Sequence, residues 1–83
     1  MQIAYTTAAV RALTQMPANV AKRIRAKIEQ YAADPASQAN NVKKLKGRPG
    51  FRLRVGDYRV IFDRQGNVLA ILQIGHRGSV YED

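Results

Sequence analysis

The most informative stretch of the chain is FRLRVGDYRVIF, which spans residues 51–62. Apolar side chains alternate with other residues on both sides of Gly56-Asp57, the pattern of two β-strands joined by a two-residue turn. Pairing outward from this turn places six apolar or aromatic residues on one face: Phe51, Leu53, Val55, Tyr58, Val60 and Phe62. A slip of one residue would scatter them over both faces, so the pattern predicts the hairpin together with its register.

The same register places three arginines on the opposite face, which we call the arginine face. Arg54 is then directly opposite Arg59, and Arg52 lies two residues along its strand. Like charges that face each other across a strand pair repel by roughly 1 kcal/mol at about 4 Å in water. An anion between the guanidiniums would turn this repulsion into binding, and the planar arginine fork suits phosphate. The alternative interpretation is that these arginines only keep an exposed sheet face soluble.

The position of Arg77 depends on the next turn of the chain. Residues 63–66 fit a type I turn followed by a glycine bulge, which would pair Asn67 with Asp63. Alternation would then assign Val68, Ala70, Leu72 and Ile74 to the core, and Leu69, Ile71 and Gln73 to the arginine face. Continued through Gly75, it brings Arg77 to that face, so we expect four arginines to line one concave surface. A four-residue loop would reverse this parity.

The N-terminal part of the chain predicts one strand and two helices. Residues 2–5 form a short apolar strand, and Thr6 or Thr7 can cap a helix that ends before Pro17. Pro17 suits the first turn of a second helix, which Asp34-Pro35 ends. Apolar residues recur at helical spacing in both: Ala9, Val10 and Leu13, then Val20, Ile24, Ile28 and Tyr31.

Together these elements predict a single domain over residues 1–83 of the α+β class. Residues 36–42 are expected to be a polar loop. The predicted order is β-α-α-β-β-β, with two N-terminal helices packed on a mainly antiparallel, roughly four-stranded sheet.

The charge balance is strongly basic, with 14 Lys and Arg against six Asp and Glu, a net charge of +8 over 83 residues. Nucleic acid or an acidic partner is the usual reason for such an excess. A run without acidic residues precedes the hairpin and is a candidate RNA-binding patch: Lys43, Lys44, Lys46 and Arg48. Solvated loop charge is the alternative for this run. With no apolar window near the roughly 20 residues of a spanning helix and no secretion signal, we expect a cytoplasmic protein without membrane contact.

The residue inventory disfavours several kinds of active site. The chain has no cysteine and one histidine, His76, so neither a zinc site nor a two-histidine ribonuclease is supported. Its acidic residues are scattered, so we expect no metal and no cofactor. RNA cleavage by the substrate's own 2′-OH needs mainly charge stabilisation, which arginines supply. Because arginine is a poor base, the proton would have to pass to Tyr81, to His76, to a lysine such as Lys46, or to water. The parity of His76 is wrong for the arginine face and favours a structural role.

Three segments together resemble the RelE family of bacterial toxins: residues 44–47, residues 51–62 and residues 74–81. The resemblance covers nearly the whole chain. It implies two helices packed on a mainly antiparallel sheet, and cleavage of messenger RNA in the ribosomal A site without a metal. It also implies a cognate antitoxin protein that holds the toxin inactive, with operator DNA bound only indirectly, through the toxin–antitoxin complex.

Five positions match functional residues of that family. Arg52 and Arg54 correspond to two basic residues, often lysines, that contact phosphate and act as general base or charge stabiliser. Arg59 corresponds to the arginine that grips the scissile phosphate. Arg77 corresponds to the arginine that aids the leaving 5′-oxygen, and Tyr81 to the tyrosine that stacks on or orients the cleaved nucleotide. Arginine at both lysine positions leaves the general base unidentified.

Two other functions remain open at this point. ParE-like toxins share the fold and the Tyr-Arg strand, but they inhibit DNA gyrase by binding and cleave no RNA. They generally lack the full basic and tyrosine set that this chain retains. The third possibility is a nucleic-acid-binding module without toxicity.

The assignment predicts that Arg77→Ala and Tyr81→Ala each abolish growth arrest while the fold stays intact, because each removes a group that acts on the substrate. Growth after induction, with circular dichroism of the purified variants, is the measurement. If both variants arrest growth as well as the parent chain, the assignment is wrong.

Overall fold

The hairpin expected around Gly56-Asp57 is at the centre of a five-stranded sheet. A computed structural model describes residues 1–78, and Tyr81 lies outside the described residues. Its elements are β1 Gln2–Tyr5, α1 Thr7–Thr14, α2 Ala18–Ala33, a 3₁₀ segment Pro35–Asn41, β2 Val42–Lys44, β3 Phe51–Val55, β4 Tyr58–Gln65 and β5 Val68–His76. The strand order is β1-β5-β4-β3-β2. β1 is parallel to β5, and the other pairs are antiparallel.

This architecture confirms the α+β fold class and corrects the number of strands. The prediction of roughly four strands missed β2, whose three residues end the expected polar loop and begin the basic run. So short a strand carries too little alternation to be read from sequence. The loop itself is largely the 3₁₀ segment.

The two helices pack on one face of the sheet, and their ends follow the predicted signals. The Thr6 hydroxyl accepts a hydrogen bond from the Ala9 backbone N–H at 3.2 Å and donates one to the Leu72 carbonyl at 2.8 Å. This cap therefore also attaches the start of α1 to β5. α2 begins at Ala18, directly after Pro17, and ends at Ala33, directly before the Asp34-Pro35 stop. Among residues 1–78, neither helix combines the length and apolar character needed to cross a membrane.

The core lies between the helices and the sheet. Ile24 and Ile28 of α2 are fully buried, and the Tyr31 ring packs on Phe62 with 4.9 Å between ring centroids. Phe62 in turn stacks on Phe51, with centroids 5.4 Å apart. Val10, one of the apolar residues of α1, is 47% exposed. Because α1 buries Ala9 and Leu13, one turn apart, the adjacent Val10 falls off that stripe.

The first hairpin has the predicted register, from Val55 opposite Tyr58 to Phe51 opposite Phe62. The second turn differs from the prediction. Gln65 pairs with Val68 across a two-residue turn, Gly66-Asn67, and Gly66 has φ 60°, as a type II′ turn requires at its first central position.

The shorter turn reverses the predicted parity at the start of β5. Leu69 and Ile71, expected on the arginine face, are each 1% exposed and belong to the core. A β-bulge then restores the predicted parity, because Phe62 pairs with Ile71 whereas the preceding Ile61 pairs with Gln73. Beyond the bulge Ile74 is in the core as predicted, and Gly75 lies opposite Arg59.

The connection between β2 and β3 folds back against the sheet at Gly50. The Leu45 N–H donates to the Gly50 carbonyl at 3.0 Å, and Gly50 has φ 110°. A Cβ atom on Gly50 would lie 3.0 Å from the Phe62 carbonyl oxygen, whereas one on Gly47, which has φ 73°, would meet nothing within 4 Å. Only glycine fits this close approach without a shift of backbone.

We expect Gly50→Ala to lower the free energy of unfolding by about 2–3 kcal/mol, because backbone strain and a backbone clash act together. Gly47→Ala is the matched control, with strain alone and an expected loss of about 1 kcal/mol. Urea denaturation of both variants is the measurement. Equal losses would show that the connection is not packed on β4 as described.

Candidate functional site

A small cavity of about 80 Å³ opens on the arginine face. Its lining consists of amide and cationic side chains: Asn40, Asn41, Lys43, Arg52, Arg54 and Arg59. We call it the arginine cavity. The residues that line it come from the end of the 3₁₀ segment and from β2, β3 and β4. The volume exceeds what a single water molecule needs and suits a small anion such as phosphate.

Strand register brings these cations together. Lys43 of β2 lies directly opposite Arg52 of β3, and Arg54 of β3 lies directly opposite Arg59 of β4. Side chains that face each other in this way project from the same face of the sheet. Two successive pairs of facing cations therefore concentrate positive charge in one place, at a cost in stability that an anion would offset.

Burial differs among the three arginines and gives the cavity an inside and an outside. Arg59, on the central part of the sheet, is only 9% exposed, whereas Arg52 is half-buried and Arg54 is exposed. A guanidinium attracts an anion more strongly when less water surrounds it, because the effective dielectric constant is lower. We therefore expect Arg59 to attract an anion more strongly than the exposed Arg54 at the entrance.

The structure places the other predicted basic residues away from this cavity. Lys44 pairs with Phe51, so it belongs to the helix side of the sheet, and Lys46 and Arg48 are exposed in the connection between β2 and β3. Arg77 follows Gly75 by two residues on the parity of the arginine face, and its backbone N–H donates to the Asp57 carbonyl at 2.8 Å.

Arg77 nevertheless does not line the arginine cavity, which corrects the expectation of four arginines around one surface. The reason is its position level with the first hairpin turn, past the Arg54–Arg59 pair. His76 lies opposite Tyr58, and the two rings make an edge contact with centroids 5.5 Å apart. Tyr81 lies outside the described residues, and no three side chains of metal-ligating type cluster among residues 1–78.

Asn40 and Asn41 were missed by the sequence prediction, which treated them as part of a polar loop. Asn41 donates through Nδ2 to the Gln38 Oε1 at 3.3 Å, and Gln38 donates through Nε2 to the Gln30 Oε1 at 3.0 Å. Gln38 is 5% exposed. A chain of amides thus connects α2 to the rim of the arginine cavity. No local sequence pattern indicates them, because the place of Asn41 depends on tertiary hydrogen bonds to α2.

A second concave surface, the helix groove, lies on the other side of the molecule. It encloses about 530 Å³ and is mostly apolar, with the lining Tyr5, Val10, Leu13, Thr14, Met16, Ala18, Ala21 and Arg25. Burial raises the pKa of the Tyr5 hydroxyl, and the Glu29 carboxylate raises it further while Arg25 opposes. Tyr5 therefore stays neutral there at physiological pH.

Comparisons with known proteins match almost the whole chain. The family described as ParE toxin of the type II toxin–antitoxin system, parDE, matches residues 3–81. Toxin RelE3 of Methanocaldococcus jannaschii is 29% identical over 87 residues, which covers 99% of this chain and 97% of that protein.

Two solved toxin–antitoxin complexes contain chains with the same fold. The RelE–RelB complex of Pyrococcus horikoshii matches with 27% identity and a TM-score of 0.75, over 95% of this chain and 97% of that one. The RelB–RelE complex of Methanococcus jannaschii matches with 26% identity and a TM-score of 0.73, over 94% of each chain.

Removal of the exposed partner of the facing arginine pair should separate stability from anion binding. We expect Arg54→Gln to raise the free energy of unfolding by about 0.5 kcal/mol in phosphate-free buffer, since it relieves cross-strand repulsion. The same variant should gain less stability than the parent when inorganic phosphate is added, because a ligand stabilises only the state that binds it.

The matched control is Arg64→Gln, which removes an exposed arginine near the end of β4, where it lies opposite Leu69 of β5 and outside the cavity lining. It should keep the parent's response to phosphate in a thermal unfolding series. A phosphate response of Arg54→Gln equal to that of the parent would contradict an anion site at this pair.

Proposed function

Because the chain belongs to the ParE toxin family of type II toxin–antitoxin systems, within the RelE/ParE superfamily, we propose that this toxin is an endoribonuclease. Its proposed substrate is messenger RNA in the ribosomal A site. Its proposed reaction is attack of the substrate's own 2′-OH on the neighbouring phosphate, which needs no metal. The observation that carries this proposal is the arginine cavity, where facing cations from three strands surround a space of phosphate size.

The arginines act on charge. Arg59 holds the scissile phosphate deep in the cavity, and Arg52 and Arg54 neutralise the negative charge that grows on the phosphoryl oxygens in the transition state. The 2′-oxygen forms a bond to phosphorus as the bond to the 5′-oxygen breaks, which leaves a 2′,3′-cyclic phosphate and a free 5′-hydroxyl. Three fixed guanidiniums favour this step because their charges are in place before the reaction begins.

Two protons must move, and the cavity's guanidiniums do not accept them at accessible pH. The proposed acceptors of the 2′-OH proton are water and Tyr81, and Lys46, outside the cavity lining, is less favoured. His76 is on the core side of β5, where its ring contacts the Tyr58 ring, and it is therefore a weaker candidate for the proton acceptor. The 5′-oxygen takes up a proton as it leaves, and Arg77 is the residue that the family resemblance assigns to that end. Tyr81 has the assigned role of stacking on the cleaved nucleotide.

Exposed cations outside the cavity extend the proposed RNA contact. Lys43 lines the cavity itself, and Lys44, Lys46 and Arg48 are exposed on the segment that leads from β2 to β3. Charges of this kind hold a nucleic-acid backbone without reading its sequence, so the affinity for RNA should fall steeply as salt is added.

The proposed protein partner is a cognate antitoxin. The two related chains were solved in complexes named for RelB and RelE. For this chain, with a net charge of +8, the partner's expected chemistry is an acidic protein with an amphipathic helix. The proposed place of action is the cytoplasm, where translated messages are found, and operator DNA would be reached only through the toxin–antitoxin complex.

The second candidate function is inhibition of DNA gyrase by binding. It is favoured by one specific observation, the match of residues 3–81 to the family of ParE toxins. The facing cation pairs Lys43–Arg52 and Arg54–Arg59 favour the nuclease instead, because a protein that acts only by binding has no need to concentrate charge around a phosphate-sized cavity.

Primer extension on a translated message separates the two functions. In cells that express the toxin we expect cuts in phase with codons, and Arg54→Gln should reduce them about 100-fold because it removes one charge-stabilising donor. Arg64→Gln should cut as the parent does. Stabilised gyrase–DNA breaks in the absence of codon-phased cuts would contradict the nuclease and support the gyrase inhibitor.

A further inference from the structure

The arginine cavity contains one kind of chemical group that its cations cannot supply. Lysine and arginine side chains are hydrogen-bond donors only, with no acceptor atom. Of the side chains that line the cavity within residues 1–78, only those of Asn40 and Asn41 carry an oxygen that can accept a hydrogen bond. Among the described side chains of the cavity, these two amides are therefore the groups that can accept a hydrogen bond from a hydroxyl beside a bound phosphate.

Asn41 is the amide whose orientation is fixed. Its Nδ2 donates to Gln38 at 3.3 Å, and the buried Gln38 donates to Gln30 of α2 at 3.0 Å. With the amide nitrogen directed towards Gln38, the other branch of the amide, Oδ1, is the one available to the cavity. Asn41 is half-buried, whereas Asn40 is exposed and is not a member of this amide chain. Amides held by a buried network keep one geometry and need no ordering when a ligand binds.

RNA and DNA differ at the atom that such an acceptor would recognise. The ribose 2′-OH lies next to the 3′-phosphate and can donate a hydrogen bond, and deoxyribose lacks it. Arginine and lysine contacts to phosphate are the same for both nucleic acids, so the cations of the cavity cannot distinguish them. The distinction requires an acceptor placed beside the phosphate site.

On the basis of the proposed function, we infer that Asn41 Oδ1 accepts a hydrogen bond from the 2′-OH adjacent to the phosphate held by Arg59, and so selects RNA over DNA. Gln38 and Gln30 are the positioning residues for this contact. An amide is too weakly basic to take the proton, so Asn41 orients the nucleophile and leaves deprotonation to another group. The amide chain that connects α2 to the cavity thereby orients a substrate contact in addition to holding the 3₁₀ segment in place.

The test compares three single-stranded oligonucleotides of one sequence by fluorescence anisotropy with the full-length chain at low salt. The first is RNA, the second carries 2′-fluorine in place of every 2′-OH, and the third is DNA. Fluorine retains an RNA-like sugar pucker but cannot donate a hydrogen bond. We expect RNA to bind about tenfold more tightly than either of the others, since one good hydrogen bond is at stake. Gel analysis of the recovered RNA establishes that it stayed intact.

Two variants locate the effect. Asn41→Leu should bind all three oligonucleotides equally, with an affinity for RNA about tenfold lower than that of the parent. Asn40→Leu, on the same cavity but outside the amide chain, should keep the parent's preference. Should Asn41→Leu unfold, the fluorinated RNA still decides with the parent chain alone.

Three results would overturn the inference: fluorinated RNA that binds the parent as tightly as RNA does, a parent without preference for RNA, or an Asn41→Leu variant that keeps the preference. The proposed nuclease function fails separately. A chain that prefers RNA through Asn41 but makes no codon-phased cuts would support the inferred recognition by Asn41 and contradict the proposed nuclease function.

Discussion

Two guanidinium groups, those of Arg54 and Arg59, face each other across β3 and β4, and the rest of the site depends on this pairing. The pairing is imposed from the other side of the sheet, where Leu53, Val60 and Phe62 are each at most 1% exposed. Burial of each such side chain contributes about 1.5–3 kcal/mol, which together exceeds a cross-strand repulsion of roughly 1 kcal/mol. The apolar register therefore forces the cations together, and a bound anion would offset their repulsion.

The parts of the fold that sequence could predict are those that one residue pattern determines. The hairpin around Gly56-Asp57 has one register that buries all its apolar residues, and the helix ends at Thr6, Pro17 and Asp34 follow from local hydrogen bonding and backbone geometry. The prediction of a turn over residues 63–66 was wrong, because two turn types compete for the same residues. The bulge between Ile61 and Phe62 shifts the pairing with β5 by one residue, and no local sequence pattern encodes it. The shorter turn and the bulge each reverse the parity of β5, so their effects cancel beyond the bulge and Ile74 lies in the core as predicted.

The candidate site likewise has residues that the sequence predicts and residues that it does not reveal. The nearness of Arg54 to Arg59 follows from register, so the sequence predicts it, and Lys43 joins them through a strand that the sequence does not reveal. Asn41 could not be predicted, because its place at the cavity depends on a tertiary hydrogen-bond chain to α2. Arg77 shows the limit of parity as an argument, since sharing a face with the cavity does not place a residue in it.

The central claim is that cations from separate strands bind one phosphate together. Its most direct test is a titration of the ¹⁵N-labelled chain with inorganic phosphate, followed through the Nε–Hε signals of its arginines in NMR spectra. The account predicts that Arg52, Arg54 and Arg59 shift along one saturable curve with a single Kd, while Arg64 does not move. Signals that fail to saturate, or that follow separate curves for each arginine, would contradict it.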